Sequence, residues 1–258
     1  MPARSVTSNQ TDIYKNLEEV VRKYAMTSFL RPVADHTREA FENACEFVRK
    51  FNEAHGAKRD ANRAVAGCEV GCAELILDSG CGTGESTIHL ARRFPNIPVI
   101  GIDKSAVRLS KAGNERQLEV SAGDSCDVPS NAFWVRAELL DFWRLALEKV
   151  NAGEWKVLHH ALYYPNPWPK ESEATRRFHL HPIFPTLLQL CPSIELRTNW
   201  EIYAREFKEA VRIAGDSLSL NFVADFSEFV PENPETAFER KYKAAGQRLW
   251  KVITAPCP

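Results

Sequence analysis

The sequence predicts an α/β fold, a mostly parallel sheet with helices on both faces, preceded by an N-terminal helical extension. Two observations carry this. From Leu75 onward short apolar runs alternate with segments of helical period, the pattern of parallel strands joined by crossover helices. The first apolar run, Leu75-Ile76-Leu77, passes directly into Asp78-Ser79-Gly80-Cys81-Gly82-Thr83-Gly84, a glycine-rich turn between a strand and a helix, where sheets of this kind bind ligands.

Leu17, Val20, Val21 and Tyr24, then Ala40, Phe41, Ala44, Phe47 and Val48, stand at helical spacing and predict two helices separated by the breaker Arg31-Pro32. Residues 52 to 72 are polar and rich in Ala and Gly, a connector. The chain therefore divides into an extension with its connector, 1–72, and an α/β domain, 73–258. In that domain the reading is a strand at 75–77, a helix at 86–93, a strand at 98–102 and a helix at 105–111. It continues with a strand at 132–135, a helix at 139–150 and a strand at 156–162. After an irregular Pro- and aromatic-rich stretch come a strand at 194–197, a helix at 200–214 and a strand at 218–223.

The composition, 44% hydrophobic and 26% charged in 258 residues, excludes wholesale disorder. A net charge of -1 means that a nucleic-acid enzyme would need a local basic surface. No apolar run approaches the roughly 18 residues of a membrane span, and Met1–Lys15 is too polar for a secretory signal, so a soluble, cytoplasmic protein with no membrane contact is expected. Cys45, Cys68, Cys72, Cys81, Cys126, Cys191 and Cys257 are an odd, scattered set that fits reduced thiols. Cys68 and Cys72 have no second pair at ligand spacing, so no metal is expected.

Gly80, Gly82 and Gly84 permit backbone angles closed to other residues and let a ligand approach the main chain. Dinucleotide binding would require Gly-x-Gly-x-x-Gly, but Glu85 follows Gly84, and Asp78 and Glu85 would repel a pyrophosphate. S-adenosylmethionine (SAM) carries an ammonium and a sulfonium, which acidic residues favour. Asp103, at the end of the second predicted strand, is placed to accept ribose hydroxyls, and Glu138, after the third, to accept the adenine amino group.

Further on the chain reads Tyr163-Tyr164-Pro165-Asn166-Pro167-Trp168-Pro169-Lys170, then Arg176-Arg177, Thr198-Asn199 and Thr236-Ala237-Phe238-Glu239. This order resembles the tRNA (guanine-N7)-methyltransferase family of class I SAM-dependent methyltransferases, with its Asp-Pro-Trp-Pro-Lys segment, basic stretch, Thr-Asp pair and Thr-x-x-Glu. The resemblance spans about residues 75 to 255 and implies a Rossmann-like fold, SAM as cofactor and tRNA as substrate. It also implies acceptor contacts at Tyr163, Lys170, Arg176, Arg177, Thr198, Asn199, Thr236 and Glu239. Two acidic positions of the family's pattern are amides here, Asn166 and Asn199. The stretch Lys170–Arg177 carries three positive and two negative side chains, which weakens its attraction for phosphates.

Asn166, Tyr164 and Trp168 are the candidate catalytic residues. Guanine N7 has a free lone pair, so its methylation needs no base, but the product ring is cationic and an amide offers it only a dipole. Asn-Pro-aromatic also resembles the amine-binding motif of amino-group methyltransferases, with the aromatic rings flanking the sulfonium by cation-π contact. Three functions stay open. They are methyl transfer to tRNA guanine, action on a small-molecule amine (by methyl transfer or by aminocarboxypropyl chemistry, including cyclisation of SAM with release of methylthioadenosine), and a non-catalytic SAM-fold subunit.

Overall fold

A computed structural model describes residues 6–63, 72–112 and 128–257, with the side chains of 56–63 excepted; Cys68, Cys126 and the connector after Arg63 lie outside them. The helices are α1 (Leu17–Ala25), α2 (Asp35–Arg63), α3 (Glu85–Arg93), α4 (Ala106–Leu109), α5 (Leu139–Asn151), α6 (Phe184–Leu190), α7 (Glu201–Leu218) and α8 (Ala237–Ala244). The strands are β1 (Ala73–Ser79), β2 (Val99–Asp103), β3 (Ala132–Arg136), β4 (Trp155–Tyr163), β5 (Ile194–Thr198), β6 (Phe222–Phe229) and β7 (Leu249–Pro256). They form one seven-stranded sheet in the order β3-β2-β1-β4-β5-β7-β6.

The chain forms two compact units, one of residues 32–158 and one of residues 1–31 with 159–258. In the first, β3, β2 and β1 run parallel, and Leu75, Ile76, Leu77, Val99 and Ile100 are wholly buried, as strands covered on both faces must be. Phe133 stacks on Phe47 of α2 with ring centroids 4.8 Å apart. Its neighbour Trp134 points to the opposite face and lies where Cβ atoms on Gly84 and Gly101 would stand. Helices therefore cover both faces here, α2 on one and α3 on the other.

In the second unit β4 and β5 are parallel, whereas β7 runs antiparallel to both β5 and β6. The expected strand at 218–223 is corrected: α7 continues to Leu218, Ser219 ends it in a left-handed conformation (φ 56), and β6 begins at Phe222. The 52–72 connector is shortened too, because α2 runs on to Arg63. Strand β7 and helices α6 and α8 are additions to the sequence reading. α7 packs on β6, β7 and β5, and the opposite face of the β6–β7 hairpin carries exposed Val223 and Ile253. α1 lies on α7 through buried Leu17, Val21 and Ala25.

β4 also places His160 in the core, fully buried, where burial first and then His159 hold its ring down at about 3. The folded state keeps it neutral while the unfolded chain protonates it near its ordinary value of 6.5. Stability is therefore full above about 6.5 and should be lost as pH falls below it, at about 1.4 kcal/mol per pH unit. Urea midpoints at pH 7, 6 and 5 measure the slope; His160→Gln should flatten it by about one proton, and an unchanged slope would move the effect to another group.

Candidate active site

The turn after β1 uses all three glycines in the left-handed region, Gly80 at φ 81, Gly82 at φ 60 and Gly84 at φ 75. They do different work. A Cβ on Gly84 would run into the Trp134 indole and the Ala112 side chain, so this glycine lets α3 start tight against β3. Gly80 and Gly82 have nothing within 4 Å of where a Cβ would stand. That side of the turn is open, and a ligand can reach the main chain there.

Two buried carboxylates shape the turn. Asp78 Oδ2 accepts from Ser86 Oγ at 2.7 Å and Thr87 Oγ1 at 2.6 Å, which ties the end of β1 to the first turn of α3. Asp103 accepts from the backbone N–H of Gly82 at 3.1 Å and of Ser105 at 2.7 Å, and Arg108 pairs with it at 3.0 Å. Arg108 is half exposed, a partner that can swing away without opening the core. Close to Gly84 and Gly101, the Trp134 Nε1 donor is buried with no acceptor among the described residues. Glu138 lies past the end of β3, as the residue preceding α5, where its N–H donates to Thr37 Oγ1 at 3.3 Å.

In the other unit the segment following β4 is strained. Tyr164 (φ 53) and Trp168 (φ 44) hold left-handed backbone that bulky residues rarely adopt, a feature that clusters at functional sites. The Tyr164 N–H donates to the Arg197 carbonyl at 2.8 Å. Between the two strained residues Asn166 is exposed.

Behind this segment lies an ion-pair network that the sequence did not reveal. Arg197 Nε donates to Glu195 Oε1 at 2.7 Å and Nη1 to Glu239 Oε1 at 2.8 Å, with Glu235 Oε2 at 3.1 Å. Its guanidinium lies 4.0 Å from the centroid of the Tyr163 ring. Tyr163 donates to Glu195 at 3.1 Å and Tyr164 to Glu239 at 3.1 Å. Burial would raise the Glu195 carboxyl, but His159 and Arg197 outweigh it and hold the group at about 2. Burial first, then Glu239, push the Tyr164 phenol well above its ordinary range, so it is no proton acceptor near neutrality. Glu195, Arg197, Phe229, Glu232 and Lys251 also line a cavity of about 260 Å³.

The family model Methyltransf_4, described as "Putative methyltransferase", matches residues 72–252. The chain belongs to this methyltransferase family. It is 30% identical over 187 residues to a tRNA (guanine-N(7)-)-methyltransferase of Neisseria meningitidis, covering 69% of this chain and 70% of that protein. It is 27% identical to the enzyme of that name from Saccharophagus degradans, over 70% of this chain and 75% of the relative. Among solved structures, an antibiotic-related methyltransferase shares the fold, with a TM-score of 0.51 at 14% identity, over 91% of this chain and 98% of the other.

The chain is thus a SAM-dependent methyltransferase with the expected α/β Rossmann-like fold. The open face of Gly80 and Gly82 and the acidic Asp103 beside it fit a cofactor that carries both cationic and hydrogen-bonding groups. Among the described residues no helix is long and apolar enough to cross a membrane, and no group of three His, Cys, Asp or Glu could hold a metal ion.

The methyltransferase uses several expected contact residues internally. Arg177 needs correction: it is completely buried, so it cannot reach a phosphate, and it pairs with Glu206 at 2.6 Å. Arg176 is exposed, pairs with Glu173 at 3.2 Å and covers the Trp168 ring at 4.5 Å, and Lys170 is exposed. Thr236 caps α8 by accepting from the Glu239 N–H at 3.0 Å, while Glu239 Oε2 accepts from the Glu235 N–H at 2.7 Å. Thr198 is buried and accepts from the Trp200 N–H at 3.2 Å. Asn199 donates to Gln247 at 3.2 Å. The available signal for the network was Glu195-x-Arg197, two charges at strand spacing in an otherwise apolar β5.

Proposed function

We propose that this methyltransferase transfers the methyl group of SAM to N7 of a guanine in tRNA. The observation that carries the reading is the exposed Asn166 within the strained Pro165–Lys170 segment, at the position where the family resemblance puts the acceptor-binding residue. The names of its relatives support the same acceptor. Gly80, Gly82 and Gly84 let SAM lie against the main chain, Asp103 accepts from its ribose and Glu138 from its adenine, and Asp78 holds the turn in shape. Bound there, SAM supplies an electrophilic methyl group on a sulfonium.

The remaining chemistry belongs to the chain. N7 attacks with its own lone pair, so no base is required, in keeping with a Tyr164 phenol that does not ionise near neutrality. Asn166 orients the base through its amide, and its carbonyl dipole faces the charge that develops on the ring. Lys170 and Arg176, both exposed, meet the phosphates.

The burial of Arg177 favours a second reading, because it removes one of three phosphate contacts. Here the acceptor is a small amine held by Asn166, or the amine of SAM itself, cyclising with release of methylthioadenosine.

Asn166→Asp separates the two. On guanine N7 the carboxylate stabilises the cationic product, so the single-turnover rate should rise by more than about two-fold wherever the carboxylate is ionised. With an amine acceptor the new charge stabilises the unreactive ammonium; the rate should fall near neutrality and recover at higher pH. A uniform change of about two-fold or less would reduce Asn166 to packing and remove it from both schemes.

A further inference from the structure

Glu206 of α7 is wholly buried, yet four groups donate to its two oxygens. Arg177 Nη1 reaches Oε1 at 2.9 Å and Oε2 at 2.6 Å, and the His179 ring lies 2.9 Å from Oε2. The other two donors come from the N-terminal arm, Gln10 Nε2 at 2.6 Å and the Tyr14 N–H at 2.7 Å. Arg177 is completed by Gln10 Oε1, which accepts from Nη2 at 2.9 Å, and by the Trp200 ring, 4.7 Å from its guanidinium.

The rest of the Arg177 fork does not serve the ion pair. Nη2 donates to the Trp168 carbonyl at 2.9 Å and Nε to the same oxygen at 3.3 Å. On the next residue, Ser8 Oγ donates to the Pro169 carbonyl at 2.5 Å. Two consecutive carbonyls of the acceptor segment are thus gripped, one by the buried arginine and one by the arm. Trp168 is held at φ 44 between Pro167 and Pro169, and a bulky residue before a proline has few conformations open to it. Such a geometry persists only where its surroundings over-determine it, and the three contacts of Arg177 Nη2, Arg177 Nε and Ser8 Oγ, with Gln10 bracing the arginine, supply that determination.

We infer that Arg177, Gln10 and Ser8 are positioning residues, and that the N-terminal arm from Ser8 to Tyr14 is part of the catalytic apparatus, fixing the Pro165–Lys170 segment so that Asn166 is presented in one orientation. The inference rests on the proposed role of Asn166 toward the acceptor. It gives Arg177 a task that burial permits, in place of the phosphate contact that burial forbids. Lysine cannot replace it, since a single ammonium cannot span both Glu206 and the Trp168 carbonyl in the same fork.

Ser8→Ala alters the arm without touching the buried pair, whereas Gln10→Ala also removes a partner of each of its members, Glu206 and Arg177. In the double variant Ser8→Ala with Gln10→Ala, and separately in Arg177→Lys, amide hydrogen exchange of Tyr164, Glu173 and Leu180, whose N–H groups donate to the Arg197, Lys170 and position-177 carbonyls, should speed up on the order of ten-fold or more. kcat for methyl transfer should fall on the order of 10- to 100-fold. Affinity for S-adenosylhomocysteine, measured by calorimetry, should stay within about two-fold, since none of the altered residues belongs to the glycine turn. A lowered Tm with unchanged exchange at these three amides and unchanged kcat would make the cluster purely structural and overturn the inference. If the wild-type protein methylates neither tRNA nor any amine, the acceptor reading fails; unchanged exchange would still overturn the positioning role, and faster exchange would still support it.

Discussion

Arg197→Ala is expected to cost the fold about 3 to 5 kcal/mol, since it strips the cation from carboxylates that remain out of water. Glu239 is fully buried and Glu195 nearly so, and Arg197 is within 3.1 Å of both and of Glu235. For a chain of this size the loss corresponds to a fall in Tm of roughly 6 to 20 °C. The pH dependence tells electrostatics from packing. In the wild type the Glu195 carboxyl sits at about 2, below its ordinary value of 4.5, so its contribution is present above 4.5 and lost as pH falls toward 2. In the variant Arg197 no longer holds the Glu195 carboxyl down, only His159 opposes burial, and the group moves up from about 2. Protonation then relieves the folded state as pH falls, so the Tm difference should be larger at pH 8 than at pH 5. A difference that is constant with pH would assign the whole loss to the Tyr163 ring, which Arg197 covers at 4.0 Å.

The parts of this molecule legible in the sequence are those whose cause is local. The β1 run, the glycine turn and the start of α3 follow one another within a few residues, and each has a chemical signature of its own. Asp103 is legible from its place at the end of the second strand, and its carboxylate accepts from the Gly82 N–H at 3.1 Å. Thr236 and Glu239 were equally visible as a motif, but not their work, because Thr-x-x-Glu reads the same whether it caps a helix or meets a substrate.

What stayed hidden depends on partners far along the chain. Arg177 beside Arg176 looks like a solvated basic pair; only the fold brings Glu206 and Gln10 to it and takes it out of water. Glu206 lies among Tyr203, Phe207 and Ala210 on the buried side of α7, where local pattern predicts an apolar residue. The left-handed backbone at Tyr164 and Trp168 has no glycine to announce it. The boundary near Leu218 misled for a different reason, since Leu218, Leu220 and Phe222 alternate with Ser219 and Asn221 in a strand-like pattern although the first of them ends a helix. The true strand, Phe222–Phe229, alternates exposed and half-buried positions because one of its faces is open.

Asp103→Ala should weaken S-adenosylhomocysteine binding by about 2 to 4 kcal/mol, roughly 30- to 900-fold, through two losses at once. On the proposed function the carboxylate that would accept from the ribose disappears, and so does the acceptor that holds the Gly82 N–H at 3.1 Å and the Ser105 N–H at 2.7 Å. Without that tie, Gly82 at φ 60 has no reason to keep the conformation that opens the turn. Asp103→Asn keeps one acceptor and should lose less. Arg108 supplies the control, because its pairing with Asp103 at 3.0 Å occupies an oxygen that the proposed ribose contact would use. Arg108→Ala should leave affinity unchanged or tighten it, and should tighten it more at low salt, where the exposed ion pair competes best. Calorimetry on the three variants decides the matter. Equal affinity of Asp103→Ala and wild type would remove Asp103 from the cofactor site, and a loss in Arg108→Ala as large as in Asp103→Ala would mean that the ion pair, not the ribose contact, maintains the turn.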